Sequence, residues 1–362
     1  MTDPVAHRTA TTPAQDHWLA HQFGLALPVL QAPMAGVQDH RLALAVAQAG
    51  GLGALPAAML SPAALEAELT AFRAASSAPL NVNFFCHVPP EPDAAAQTRW
   101  LSALQPYFRE WDVDPHSIDT GPGRMPFTEA SADLLAAFRP EVVSFHFGLP
   151  APHLLAQVRT WGARVVASAT TVDEARWLQD HGADAIIAQG LEAGGHRGHF
   201  LSDDLTRQAG LFTLLPQVAR AVCVPVIAAG GIATPQSVAA ARELGAQAVQ
   251  VGTAYLLCPE ATTRPVHRAA LSGAEAHHTA LTRLLSGRPA RGLWNRLMQD
   301  LQPMNDVAPA FPLATNSLVP LRAAAEQAGR SDFSPLWAGQ AAALCQQMPA
   351  ADLTRLLGAG WQ

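Results

Sequence analysis

The chain has 362 residues, of which 49% are hydrophobic and 14% charged, with a net charge of −6. That length and apolar content allow a large core, and an acidic balance without a basic run argues against nucleic acid or an anionic membrane as partner. All 23 basic residues are arginine, which excludes Schiff-base lysine chemistry, a pyridoxal-phosphate lysine and a P-loop ATPase.

In chain order, Leu27–Ala32 reads as a strand leading into Pro33-Met-Ala-Gly36, followed by a helix with Asp39 as N-cap and Gly50 as stop. Gly51–Ala57 is a second strand, and Ser61-Pro62 supplies a cap and first-turn proline for the next helix. Leu80–Phe85 and Glu141–Gly148 are strands three and four. Arg164–Ala169 precedes Thr171-Val-Asp-Glu174, the pattern of a capping box. Asp184–Gln189, Pro225–Ala229 and Ala248–Thr253 complete a count of eight, with helices at Leu211–Ala221 and from Thr234-Pro235 to Gly245 between them.

Eight strands each followed by a helix predict a (β/α)8 TIM barrel with a smaller, mostly helical second domain; a doubly wound open sheet is the alternative. The barrel is expected over 17–261. It carries an excursion at 87–140 that crosses the mouth near Gly121-Pro-Gly123 and is too long for a bare loop. A helical domain is expected at 262–334, and a C-terminal helix packing back on the barrel at 335–362. No apolar run reaches a membrane span. Met1–Asp16 lacks a signal-peptide layout. Cys86, Cys223, Cys258 and Cys345 have the wide spacing of reduced thiols. A cytoplasmic protein is the expectation, and a homo-oligomer is admissible.

Chemistry concentrates at strand ends. Gly230-Gly231 and Gly252-Thr253 close two consecutive strands, where backbone N–H groups can cradle a phosphate; tight turns alone would also use glycine there. Gln189 and Asn83 place amides where they can read a heterocycle edge or satisfy buried backbone. His196, within Gln189-Gly-Leu-Glu-Ala-Gly-Gly-His-Arg-Gly198, is the candidate base or anion donor. His146, in Ser144-Phe-His-Phe-Gly148, is a second candidate for lining the pocket. His199 follows His196 by three, but no third ligand is obvious and no metal is expected. Arg197 and Glu192 can be either supporting partners or surface charges. His277-His278 reads as a solvated pair.

These pieces, with Gln31-Ala-Pro-Met-Ala-Gly36, Gly50-Gly-Leu-Gly53, Gln250-Val-Gly-Thr253, Phe311-Pro-Leu313 and Asp332–Gln340, resemble the FMN-dependent nitronate monooxygenases of class I. The resemblance implies an FMN enzyme oxidising an alkyl nitronate, and in some cases a nitroalkane, with O2 to a carbonyl compound and nitrite. It implies flavin contacts from Pro33 and Met34 through backbone, from Asn83 and Gln189, and from Gly194, Gly231, Gln250, Val251, Gly252 and Thr253. His196 matches the catalytic histidine. Val37-Gln-Asp-His40 departs from the family's usual run. Related FMN barrels carry similar glycine loops, so an NAD(P)H-dependent quinone or enoyl-thioester reductase is an alternative. A non-catalytic flavin-binding protein and a flavin-free phosphate-ligand barrel are others.

Overall fold

Alternate residues of a strand point to opposite faces, and here that alternation builds two concentric cores. Val29, Val82, Phe84, Val143, Val165, Ile186 and Val249 point outward beneath helices. Leu30, Leu52, Val142, Val166, Ile187 and Ile227 point inward and fill the axis. The computed structural model describes residues 22–115, 118 and 124–362. The expected crossing at Gly121-Pro-Gly123 and the start of the expected barrel unit, 17–21, lie outside the described residues.

The strands in chain order are β1 Val29–Gln31, β2 Gly53–Pro56, β3 Leu80–Phe85, β4 Val142–His146, β5 Arg164–Ala169, β6 Ala185–Gln189, β7 Gly195–His196, β8 Val226–Ala229, β9 Ala248–Val251, β10 Thr279–Thr282 and β11 Ala290–Leu293. All but β7, β10 and β11 form one parallel sheet in the order β1-β9-β8-β6-β5-β4-β3-β2. The ring closes where Leu30 bridges Leu52, the Gln31 N–H donating to the Leu52 carbonyl at 2.9 Å and the Leu52 N–H to Val29 at 3.0 Å. The fold is a (β/α)8 barrel, as the strand count predicts.

Buried glutamines knit that seam. Gln31 Nε2 donates to Gln38 Oε1 at 2.6 Å, Gln38 Nε2 donates to the Ala54 carbonyl at 2.6 Å, and the Ala54 N–H donates to Gln31 Oε1 at 2.9 Å. Buried amides persist only when paired in this way. The segment Val37–His40 thus closes the barrel through Gln38, and Asp39 caps the helix His40–Gln48 as expected.

The expected capping box at Thr171 forms only in part. Thr171 accepts from the Glu174 N–H, but the Glu174 carboxylate turns to the Thr170 N–H and hydroxyl, both at 2.7 Å, and to the Phe200 N–H at 2.7 Å. The loop after His196 needs that acceptor, so the tertiary partner wins.

The excursion after β3 splits between two cores. Its first helix, Ala94–Glu110, packs Trp100, Leu104, Tyr107 and Phe108 against Leu285, Leu297, Leu318 and Phe333 of the later segment. Its second helix, Glu129–Phe138, returns Leu135 to the outer barrel core. The second unit is therefore built from two distant stretches of chain. Besides the helices Pro265–Ser272, Arg296–Leu301 and Ala314–Gln327, it contains a β10–β11 hairpin that the helical reading of 262–334 does not anticipate.

The expected helix from about Pro335 is also shorter. Residues 335–349 run irregularly past the barrel mouth, and only Ala350–Gly358 is α-helical. Leu353 and Leu357 join the barrel core, and Thr354 Oγ1 meets the Tyr255 hydroxyl at 2.8 Å. Among the described residues, no helix is long and apolar enough to cross a membrane.

Candidate active site

The inward-facing alternation that fills the barrel with aliphatics changes character at the carboxyl ends of the strands. One layer above Val142, Val166 and Ile187 stand Asn83, Ser144, Ser168, Gln189 and Gln250, lining one large cavity. Ligands bind at this face of a parallel barrel because strand ends and loops are free to carry polar groups there. Sequence reading finds Asn83, Gln189 and Gln250 but not Ser144 or Ser168. Those two sit two residues beyond Val142 and Val166 on the same face, so strand period was the signal for them.

The cavity is lined by Pro33, Met34, Asn83, His146, Gln189, Gly194, His196, Gly231, Gln250, Gly252 and Thr253. Of the candidate catalytic, pocket and flavin-contact residues, Val251 alone falls outside the lining. Its side chain points outward into the core beneath the helices, as the alternation Gln250-in, Val251-out requires. Met34 also differs in detail: its N–H donates to Gln38 Oε1 at 2.8 Å, so it presents its side chain rather than a free donor.

Two glycine turns close the β8 and β9 ends of the cavity. Gly230 and Gly231 have φ of +119° and +70°, conformations that side chains disfavour. The N–H groups of Gly231, Gly252 and Thr253 have no protein acceptor among the described residues. Thr253 Oγ1 accepts from the Gly339 N–H at 2.9 Å, which leaves its hydroxyl hydrogen for a ligand. Gly194 must be glycine for packing as well, since a Cβ there would lie 2.5 Å from the Gly339 nitrogen.

His196 is held from both sides. Its carbonyl accepts from Gln189 Nε2 at 3.0 Å and from His146 Nε2 at 3.1 Å. Gln189 Oε1 in turn accepts from the Gly198 N–H at 2.8 Å. The Gln189 amide and His146 thus bind the loop that carries His196, rather than offering all their polar groups to a ligand. A Cβ on Gly198 would come within 2.7 Å of His146 Cε1, so only glycine lets this imidazole approach.

Arg197 is fully buried and donates to the carbonyls of Gly190 at 2.7 Å and Gln189 at 2.9 Å, and to Gln208 at 2.8 Å. It is a structural clamp on the glycine loop. Glu192 accepts from the Leu211 N–H at 2.9 Å and caps the helix Leu211–Ala221. His199 is buried with Nε2 3.4 Å from Asp203. Among the described residues, no cluster of three His, Cys, Asp or Glu side chains is arranged to hold a metal. His277 and His278 are exposed, the latter stacked on Trp294.

The second unit completes the site. Ala290 and Arg291 of β11 pair antiparallel with His196 and Gly195, and the Arg197 N–H donates to the Pro289 carbonyl at 2.8 Å. His196 Nε2 lies 2.9 Å from Ser286 Oγ. Phe311 and Trp337 stand 5.2 and 5.4 Å from the imidazole, with Phe85 at 6.1 Å and Phe147 at 6.2 Å. Desolvation in this aromatic setting, together with the charges of Arg124 and Arg288, holds the His196 pKa well below its ordinary value. Burial pushes His146 down to about 3. Both rings are neutral at physiological pH.

A closed parallel barrel with a polar cup, two glycine turns at its rim and an uncharged imidazole is a TIM barrel with a small-molecule cavity at the carboxyl ends of its strands. The sequence profile of the nitronate monooxygenase family matches residues 17–359. A nitronate monooxygenase of Paraburkholderia phytofirmans is 41% identical over 343 residues, covering 92% of each chain. A solved nitroalkane oxidase from Streptomyces ansochromogenes superposes with a TM-score of 0.86 at 38% identity, covering 95% of this chain and 97% of that one. FabK from Thermotoga maritima is more distant, with a TM-score of 0.71 at 25% identity and 95% coverage of both chains. The chain belongs to the nitronate monooxygenase family.

Proposed function

We propose that this chain binds FMN in the barrel-mouth cavity and oxidises alkyl nitronates with O2, yielding a carbonyl compound and nitrite. The observation that carries this reading is an uncharged, aromatic-walled His196 in one cavity with the Gly231 and Gly252-Thr253 turns. A flavin fits the residues present. Gln250 Oε1 is buried without a hydrogen-bond partner on the cavity wall, an arrangement that is costly unless a ligand N–H completes it. Gly231, Gly252 and Thr253 would hold the phosphate, and Asn83 and Gln250 the polar edge of the ring system.

When bound, the flavin supplies electron acceptance from the substrate and delivery to oxygen. The protein's own part is to bind and orient. With a neutral nitroalkane His196 accepts the α-proton at Nδ1, the ring nitrogen not engaged by Ser286, and the imidazolium so formed donates from Nδ1 to the nitronate's anionic group. Phe85, Phe147, Phe311 and Trp337 exclude water, which strengthens that contact.

The test is anaerobic mixing of the purified protein with propyl nitronate and, separately, with NADH, while the visible spectrum is recorded. A change with nitronate but not NADH supports the reading. Complete bleaching by NADH alone would move the assignment to a reductase. A spectrum without flavin bands after reconstitution with FMN would overturn both.

A further inference from the structure

Ser286 stands ninety positions beyond His196, fully buried in the turn that follows β10. Its Oγ lies 2.9 Å from His196 Nε2 and 3.2 Å from the Arg288 carbonyl oxygen. A hydroxyl has one hydrogen to give, and a carbonyl can only accept. When Ser286 donates to Arg288, the only bonded arrangement left puts a hydrogen on His196 Nε2, donating to Oγ. The imidazole is neutral, so Nδ1 is then bare and carries its lone pair.

The acceptor is held in place. The Arg288 guanidinium donates to the His199 carbonyl and sits 4.2 Å over the Phe147 ring. Gly287, at φ +89°, lets the turn press against Pro309 and Phe311, where a Cβ would collide with backbone. The groups that face His196 are Arg124, Arg288, His87 and His146. None of them hydrogen-bonds Nε2, and His146 is committed to the His196 carbonyl.

We propose that Ser286 is a positioning residue that fixes the His196 tautomer, with Nε2–H tied to its hydroxyl and the Nδ1 lone pair turned to the cavity. This rests on the reading of His196 as the base for neutral nitroalkanes. In that step the α-carbon's proton moves to Nδ1, and the C–H electron pair stays with the substrate as its nitronate. The resulting imidazolium donates from Nδ1 to the nitronate and from Nε2 to Ser286 Oγ. The serine hydroxyl does not have to turn, so the site is arranged in advance for the charge that develops.

The experiment compares S286A, S286T and H196N on nitroethane and on its preformed nitronate, with histidine nitrogen NMR of the holoenzyme. Alanine would leave a buried Nε2–H without an acceptor, which costs more than a bare lone pair, so the proton shifts to Nδ1. The expected result for S286A is a loss of about 10²-fold in kcat/KM on nitroethane, with the nitronate reaction within about threefold. Nδ1 should change from lone-pair-bearing to protonated, and S286T, which keeps the hydroxyl, should recover most of the loss. If S286A yields no folded holoenzyme, S286C, similar in size but a weak acceptor, should show the same split. Equal losses on both substrates, or a protonated Nδ1 in the unsubstituted enzyme, would overturn the proposal. If H196N keeps nitroethane turnover, the base reading itself fails; if H196N loses it and S286A does not, only the role of Ser286 fails.

Discussion

Ala290 lies directly in register with His196 across the antiparallel ladder joining β11 to β7. The candidate catalytic residue is therefore placed by a hairpin that belongs to the added unit, not to the barrel. The barrel supplies the cup, with Gln189 and His146 holding the His196 carbonyl from below. The hairpin and Ser286 fix the ring from above.

His196 should separate two substrates. Replacing it with Asn keeps a donor but removes the basic nitrogen. Turnover of a neutral nitroalkane should fall about 10²- to 10⁴-fold, as for loss of a general base, and turnover of preformed nitronate far less. Steady-state nitrite release on both substrates checks this, and equal losses would reject the base role.

Gly198→Ala should impair catalysis through geometry. The new methyl would press on His146 Cε1, displacing the imidazole that supports the His196 carbonyl. A fall of about 10²-fold in kcat is expected from a misplacement on the ångström scale, with a folded, flavin-containing protein. Combining it with His146→Ala removes the clash, so the double variant should lose less than the sum of the two single changes.

Gln250→Leu should pull stability and cofactor affinity apart. It removes a buried oxygen that has no protein partner, so the apoprotein should be as stable as before or more so. FMN affinity should fall by about 5- to 10-fold, the value of one hydrogen bond. Urea melts of apoprotein and flavin titrations give the two readouts; unchanged affinity would remove Gln250 from the cofactor site.

Arg197→Met should cost more than a surface change. It strips the buried donor from the Gln189 carbonyl and from Gln208, and one of the two donors from the Gly190 carbonyl, which keeps the Ala193 N–H. A loss of about 3 kcal/mol is expected from buried polar groups left unpaired. Denaturant unfolding measures it, and a change under about 0.5 kcal/mol, the range of ordinary surface substitutions, would contradict the clamp.

Acid should destabilise the fold before the carboxylates titrate. Burial lowers His87, His199 and His267 to about 4 and His146 to about 3, with His196 also well below its ordinary value. In the unfolded chain each ring titrates near 6.5. Between about pH 6.5 and pH 4 the unfolded state therefore binds more protons, so stability falls as pH falls through that window and is recovered above it. Thermal melts across the range should show this drop, and His267→Gln should make it shallower.

Strand alternation and glycine-marked strand ends made the barrel and most of its cup legible: Asn83, Gln189, Gly231, Gln250 and Thr253 all reach the cavity because period and position along a strand are local properties. Val251 shows the limit of reading a motif as a block, since the same alternation sends it outward. Ser144 and Ser168 went unread because isolated serines carry no distinctive signal until their strands are in register.

The sequence by itself determined the (β/α)8 architecture, the family and most of the residues that line the cavity, because hydrophobic period, turn glycines and short motifs act over a few residues. The tertiary structure decided what Gln189, His146 and Arg197 bind, that two distant segments share a second core, and that Ser286 meets His196. Those contacts join residues far apart in the chain, and whether a polar group faces a ligand or a backbone carbonyl depends on which unpaired atom packing brings beside it.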